Sequence, residues 1–334
     1  MTTIDEAIEQ FCEDLAVRHA PRTVSTYRTA VATHFRAYLC RVLDGDPGEL
    51  SVTELSADHV LGLVRWLHAT NPVSSTTLDT YLTAVMRFYR FLMLETEADI
   101  GPTEQARLSE RLADIRGRRP PRPLPRLPAE DALQALIRAA YAVPLPEKPD
   151  TPAGRRAGLR RLRDIAILEA LRASGARVGE LMRLRRSDLD HSQKAALVRG
   201  KGDKERLVYF DDQAWQAILH YLRQRGDGES GRPLGSLPVF AQHGRRAGKR
   251  ILPLSTDSVR RVFNTLAQAV GLEESITPHL LRHRFATRVL RATHDLAATQ
   301  DLLGHASPTT TRIYAKLTGR DTRAAHRRAQ DEGL

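Results

Sequence analysis

Only two cysteines, Cys12 and Cys40, occur in 334 residues. Each sits inside an apolar helical pattern and far from any metal-ligand spacing, which argues against a disulfide framework and against a zinc knuckle. Both are expected in the core. Long hydrophobic runs are missing as well. Apolar residues make up 41 % of the chain, yet Arg, Asp or Pro soon breaks every run, and none approaches the roughly 20 residues that span a bilayer. The opening Met1-Thr2-Thr3-Ile4-Asp5-Glu6 has neither the basic flank nor the apolar stretch of a secretion signal. No membrane association is expected, and a cytoplasmic location follows. A Gly-x-x-x-x-Gly-Lys-Ser/Thr phosphate loop and an acidic metal cluster are also absent, so no nucleotide or metal cofactor is expected.

What is present is length and positive charge. At 334 residues the chain exceeds most single domains, so two domains, each with its own core, are expected. The formal net charge of +11 points to a polyanionic partner, although charge runs are often only solvated faces. Its distribution is uneven. Residues 1–118 carry 12 Lys and Arg against 17 Asp and Glu, whereas the remainder carries 39 against 23. The polyanion-binding surface is therefore expected after residue 118.

Apolar residues recur at helical spacing through Ile4–Val17, Val24–Leu43, Val60–Leu67 and Leu78–Leu94. Thr23 and Ser56 stand at plausible helix starts, and Gly45, Pro47, Asn71 and Pro72 interrupt between segments. This predicts a small four-helix domain over residues 1–116. Residues 117–128 are rich in Pro and Arg, which excludes a helix and favours a stiff, extended spacer. The spacer could lie along a phosphate backbone or be merely solvated. Beyond it, helices are expected at Ala129–Tyr141 and Leu159–Leu171, with a Pro- and Gly-containing loop between them, and another after Gly175 to about Leu184. Alternating segments at Ala195–Arg199 and Arg206–Phe210, joined by Gly200-Lys201-Gly202-Asp203-Lys204, read as a hairpin. The remainder reads as helices, so the architecture is mainly α with a small β-sheet.

Arg177, Lys201, His279, Arg282, His305 and Tyr314 are the polar residues that stand out. Singly, each has an ordinary explanation: Arg177 could form a surface ion pair with Glu180 one helical turn away, and Lys201 could be a solvated turn residue. His279 and His283 are four apart on a helical pattern, as in a zinc site, but the residue after His279 is Leu280 rather than a glutamate, and no further ligands cluster in the sequence.

Order and spacing together change the balance. Ala-Ser-Gly-Ala-Arg-Val-Gly-Glu-Leu (173–181), Gly-Lys-Gly-Asp-Lys-Glu-Arg (200–206), Thr-Pro-His-Leu-Leu-Arg-His-Arg-Phe-Ala-Thr (277–287) and Leu-Leu-Gly-His-Ala-Ser-Pro-Thr-Thr-Thr-Arg-Ile-Tyr (302–314) resemble the tyrosine recombinase, or phage integrase, family. The resemblance is to its Xer-like members and covers residues 160–318 well; residues 1–116 resemble the family's SAM-like core-binding domain in pattern only. The segment 144–158 does not align. The resemblance implies a catalytic domain over 129–318 and a tail, 319–334, that docks on a neighbouring protomer. It implies Tyr314 as nucleophile, Arg177 and Arg282 as phosphate clamp, Lys201 as acid for the leaving oxygen, and His279 and His305 as partners of the phosphate and the proton. Glu180 would orient Arg177, and His283 would be structural. Expected partners are double-stranded DNA carrying specific recombination sites and a homotetramer on two paired sites, with a second recombinase or accessory protein possible in addition. A type IB-like topoisomerase and a non-catalytic DNA-binding accessory protein are the alternatives.

The chemistry itself calls for these residue types. Negative charge grows on a phosphodiester's non-bridging oxygens during in-line attack, and planar guanidiniums answer it with paired donors. A tyrosine of ordinary pKa about 10 is ionised in roughly one molecule per thousand at neutral pH, so it needs a base or a cationic setting. The 5′ oxygen leaves poorly unless it is protonated. The phosphotyrosyl bond keeps the energy of the broken one, so rejoining needs neither ATP nor a metal.

Overall fold

The computed structural model describes residues 1–70, 72–96, 98, 101–117, 130–200, 203–229, 231–244, 251–272 and 276–304. The chain divides into two compact units, Met1–Arg122 and Pro123–Leu334. Residues 118–128 of the expected spacer and the expected tail at 319–334 lie outside the described residues.

The first unit is helical: α1 (Ile4–Arg18), α2 (Pro21–Arg28), α3 (Arg36–Val42), α4 (Ala57–Thr70), α5 (Ser75–Glu95) and α6 (Pro102–Gly117). Thr3 and Glu6 form a reciprocal capping box at the start of α1. A π-helical stretch, Thr29–Phe35, joins α2 to α3, so the expected Val24–Leu43 segment is one helical run with a widened middle. That run begins earlier than the pattern predicts. Pro21 occupies the first helical position, where its fixed φ and missing N–H cost nothing, so Thr23 lies inside the first turn and is not the cap. Phe35, Phe88 and Tyr89 are at most 1 % exposed and meet ring to ring at the centre.

Two sequence expectations need correction here. Cys12 is buried, but Cys40 is exposed; a helix turns about 100° per residue, and Leu39 takes the inward place. The four periodic segments are also joined by a further helix, α6, which sends Leu108 and Leu112 into the same core. In the sequence Leu108, Leu112 and Ile115 stand at the i, i+4, i+7 spacing of a helix face, a short signal that the four-segment reading passes over.

The second unit contains α7 (Glu130–Ala142), α8 (Pro152–Ser174), α9 (Val178–Arg183), a three-stranded sheet, α10 (Asp212–Arg225), α11 (Thr256–Ala269), α12 (Pro278–Thr293) and α13 (Leu296–Leu303). The helix expected from Leu159 begins instead at Pro152, because the Thr151 hydroxyl accepts from the Gly154 amide and Pro152 occupies the first turn. Much of the unaligned 144–158 loop is therefore helix. Residues Ile165 to Leu171 of α8 are buried on every side, which makes α8 the axis of the unit. The one acid in that stretch, Glu169, is 0 % exposed and is held by Arg172, Gln213 and Tyr141.

The sheet is antiparallel in the order β1 (Leu189–Asp190), β2 (Ala195–Arg199), β3 (Glu205–Tyr209), with Ala195 opposite Tyr209 and Arg199 opposite Glu205. The hairpin stands where the alternation places it, and the two-residue β1 is too short to show a pattern. No described helix is long and apolar enough to cross a membrane.

Candidate active site

The site is built around the turn between α8 and α9. Gly175 ends α8 in the left-handed conformation, φ +59°, which favours glycine. A Cβ at Gly175 would stand 2.2 Å from the Phe285 ring, so the missing side chain also lets α12 lie against the turn. Two residues later Arg177 becomes the N-cap of α9 with its side chain 38 % exposed.

From α12, Arg282 reaches under this turn. It is 4 % exposed, and its guanidinium donates to the Gly175 carbonyl at 2.8 Å and to the Leu303 carbonyl at 2.6 Å. The first bond holds the Arg177 turn, and the second caps the end of α13, whose last carbonyls have no partner inside the helix.

Glu180 joins the remaining pieces. Its carboxylate, 2 % exposed, accepts from the Arg177 amide at 2.8 Å, from Arg177 Nη1 at 2.9 Å, and from both Nη atoms of Arg206 at 3.0 and 2.8 Å. Burial pushes the carboxyl's pKa up, but the hydrogen bonds from Arg206 and Arg177 outweigh that and hold it at about 2. The hairpin neck adjoins the same carboxylate. Gly200 donates to the Lys204 carbonyl at 2.8 Å, and a Cβ on Gly200 would lie 3.6 Å from Glu180 Oε1.

The structure therefore links Arg177, Glu180 and Arg282 in one hydrogen-bonded assembly. His279 is exposed in the first turn of α12, one turn ahead of Arg282. His283 is half-buried, and burial, with neighbouring His279 and Arg282, pushes its imidazole below the ordinary range. No group of residues able to hold a metal occurs among the described residues. Lys201, His305 and Tyr314 lie outside the described residues; in the sequence Lys201 follows Gly200, and His305 is two residues past Leu303. Arg206 is the member that motif reading left without a role. Its only signal was its place as the last residue of Gly-Lys-Gly-Asp-Lys-Glu-Arg.

Residues 155–320 match the model of the phage integrase family, and residues 8–96 match that of the phage integrase N-terminal SAM-like domain. Tyrosine recombinase XerD of Mycobacterium tuberculosis is 30 % identical over 330 residues, 95 % of each chain. Tyrosine recombinase XerC of Pediococcus pentosaceus is 31 % identical over 257 residues, 77 % of this chain and 76 % of the relative. The chain belongs to the phage integrase family of tyrosine recombinases. Members of this family cleave and rejoin DNA, and the activity of this recombinase is site-specific recombination of the Xer kind. Its fold agrees with that of XerH site-specific recombinase bound to palindromic difH substrate, with TM-score 0.65 at 18 % identity over 96 % of this chain and 83 % of the other. A lambda integrase dimer bound to a COC′ core site gives 0.61 at 17 % identity, over 93 % and 95 %.

One consequence of this recombinase's buried carboxylate is a pH dependence of stability. A carboxyl held at about 2 when folded, against an ordinary 4.5, stabilises the fold above pH 4.5. That contribution, at most about 3 kcal/mol, disappears as pH falls through 4.5 towards 2. Urea unfolding across this window should show a shallower loss of stability for Glu180→Gln than for the wild type. Identical slopes would mean that Glu180 is not held ionised by the fold.

Proposed function

We propose that this protein cuts and rejoins double-stranded DNA at specific sites with Tyr314 as nucleophile. The Tyr314 hydroxyl attacks the scissile phosphorus, the bond from phosphorus to the 5′ oxygen breaks, and the 3′ phosphate is left on the tyrosine. Lys201 gives its proton to the departing 5′ oxygen. In the return step a 5′ hydroxyl attacks the phosphotyrosyl bond and the tyrosine is released, so no bond energy is lost and no cofactor is consumed. Arg177 and Arg282 balance the charge on the non-bridging oxygens, and His279 and His305 serve the phosphate and the tyrosine's proton.

The observation that carries this reading is the assembly around Glu180. It holds Arg177 at the mouth of a helix turn, adjoins the hairpin neck next to Lys201 in sequence, and is tied to the end of α13 just before His305. A second support is charge: residues after 118 carry 39 Lys and Arg against 23 Asp and Glu, as phosphate contacts that bind salt-dependently require. The helical first unit would complete a clamp around the duplex in the cytoplasm. Four protomers would meet on two paired sites and exchange strands in pairs through a four-way junction, with residues 319–334 docking on a neighbouring protomer.

The reading is tested by covalent capture of the protein on randomised nicked duplexes. Tyr314→Phe should bind DNA as the wild type does and form no adduct. An adduct that persists moves the nucleophile elsewhere, with Tyr209 or Tyr221 as the candidates; of these Tyr209 is exposed, whereas Tyr221 is buried and bonded to His243. Joining of the captured strand to a second duplex separates recombination from simple relaxation, and no capture at all would leave only a DNA-binding protein. Lys201→Ala should cripple cleavage of ordinary DNA yet cleave normally where sulfur replaces the leaving oxygen, since sulfur departs without a proton; equal defects on both would remove the acid role. Deleting residues 320–334 should abolish assembly on paired sites while single-site binding is largely kept, and the reverse pattern in a mobility assay would make the tail a DNA contact instead.

A further inference from the structure

Arg206 shares a motif with Lys201, but its side chain is only 12 % exposed and its guanidinium is engaged on two fronts. Its two Nη atoms form a fork with both oxygens of Glu180, at 3.0 and 2.8 Å, while Nε donates to the Leu302 carbonyl at 3.3 Å. Gly304, the left-handed C-cap of α13 with φ +61°, lies flush against it: a Cβ there would stand 2.8 Å from Arg206 Cδ. One side chain on β3 thus grips the carboxylate that orients Arg177 and the helix end that leads into His305.

Resting on the functional reading above, we propose that Arg206 is a positioning residue for strand cleavage, holding Glu180 and the end of α13 in one register so that Arg177 and the His305 segment address the same phosphate. Two features favour positioning over a merely structural ion pair. A lysine would neutralise Glu180 equally well, whereas only the planar fork of arginine spans both carboxylate oxygens and still offers a donor along a third direction. Arg206 also bridges two separate elements, so its loss leaves Arg282 as the remaining clasp between the Arg177 turn and the end of α13 and loosens their register. Small misplacements of catalytic groups are costly in rate, on the order of a hundredfold for about 1 Å.

The test is Arg206→Lys in the full chain, which keeps the charge and removes the fork. Single-turnover adduct formation is followed at saturating protein on a nicked duplex carrying the site obtained by covalent capture with the wild type. The rate constant should fall by about a hundredfold, while DNA affinity stays within about threefold. With protein in excess the amplitude is set by the DNA, and the rate constant of the saturated complex does not depend on how much of the protein is folded, so a variant that folds poorly is still read correctly once saturation is shown by titration. In a Glu180→Gln background the Arg206→Lys change should cost much less than it does alone, because both disturb the same Arg177 arm. A wild-type rate constant at saturation, a loss explained wholly by weaker DNA binding, or defects that multiply independently in the double variant would each overturn the positioning role. If the wild type forms no adduct, or Tyr314→Phe does, the functional reading fails and this inference with it. That outcome is visible in the controls before any Arg206 variant is compared.

Discussion

A carboxylate removed from water and surrounded by guanidiniums is the interaction around which the second unit's site is arranged. An ion buried alone would be neutralised or expelled, and a buried pair is stable only when its geometry satisfies nearly every donor and acceptor. Glu180 meets that condition with hydrogen bonds from Arg206, from the Arg177 side chain and from the Arg177 amide. Because the bonds come from two elements, satisfying the carboxylate also fixes β3 against α9. A demand of electrostatics thereby becomes a statement about position.

Backbone carbonyls extend the same arrangement. The last carbonyls of α13 have no partners within their helix, and Arg206 and Arg282 take Leu302 and Leu303 respectively. Arg282 reaches at the same time to Gly175, so the turn that presents Arg177 and the helix end that precedes His305 share one guanidinium. Three arginines surround a single carboxylate and a few carbonyl dipoles, and the balance at this place is strongly cationic. Such a place suits a phosphodiester whose negative charge increases as it reacts. It also explains why Gly175 carries no side chain, since Phe285 of α12 occupies that space.

Elsewhere the fold handles buried charge by the same rule. Glu169 is paired with Arg172 inside the central helix α8, and Asp227, fully buried at its side chain, is held by Arg225 and Arg186. Arginine predominates in these pairs, in keeping with a fork that satisfies two oxygens at once. The arginine content of this chain therefore serves two ends, internal clasps and an outward cationic surface, and composition alone cannot apportion it.

Much was legible in the residues themselves. Helical periodicity located α1, α4, α5 and the α2–α3 run, and alternation around Gly200-Lys201-Gly202 located the hairpin, because these patterns reflect burial along a single element. The motif around Arg177 and that around Arg282 were legible for a different reason: specific chemistry demands specific side chains at set spacing. The start of α8 at Pro152 and the exposure of Cys40 were not, since each depends on a capping contact or on which face of a helix meets a neighbour. The Arg206 contacts were hidden most completely. Arg206 and Glu180 are 26 positions apart, and Arg206 and Leu302 are 96 apart. The sequence by itself thus determined the family and most of the elements. Only the tertiary structure decided which arginines face inward, because a guanidinium on a strand looks the same in sequence whether it meets solvent or a buried carboxylate brought there by the packing of α9 and α13.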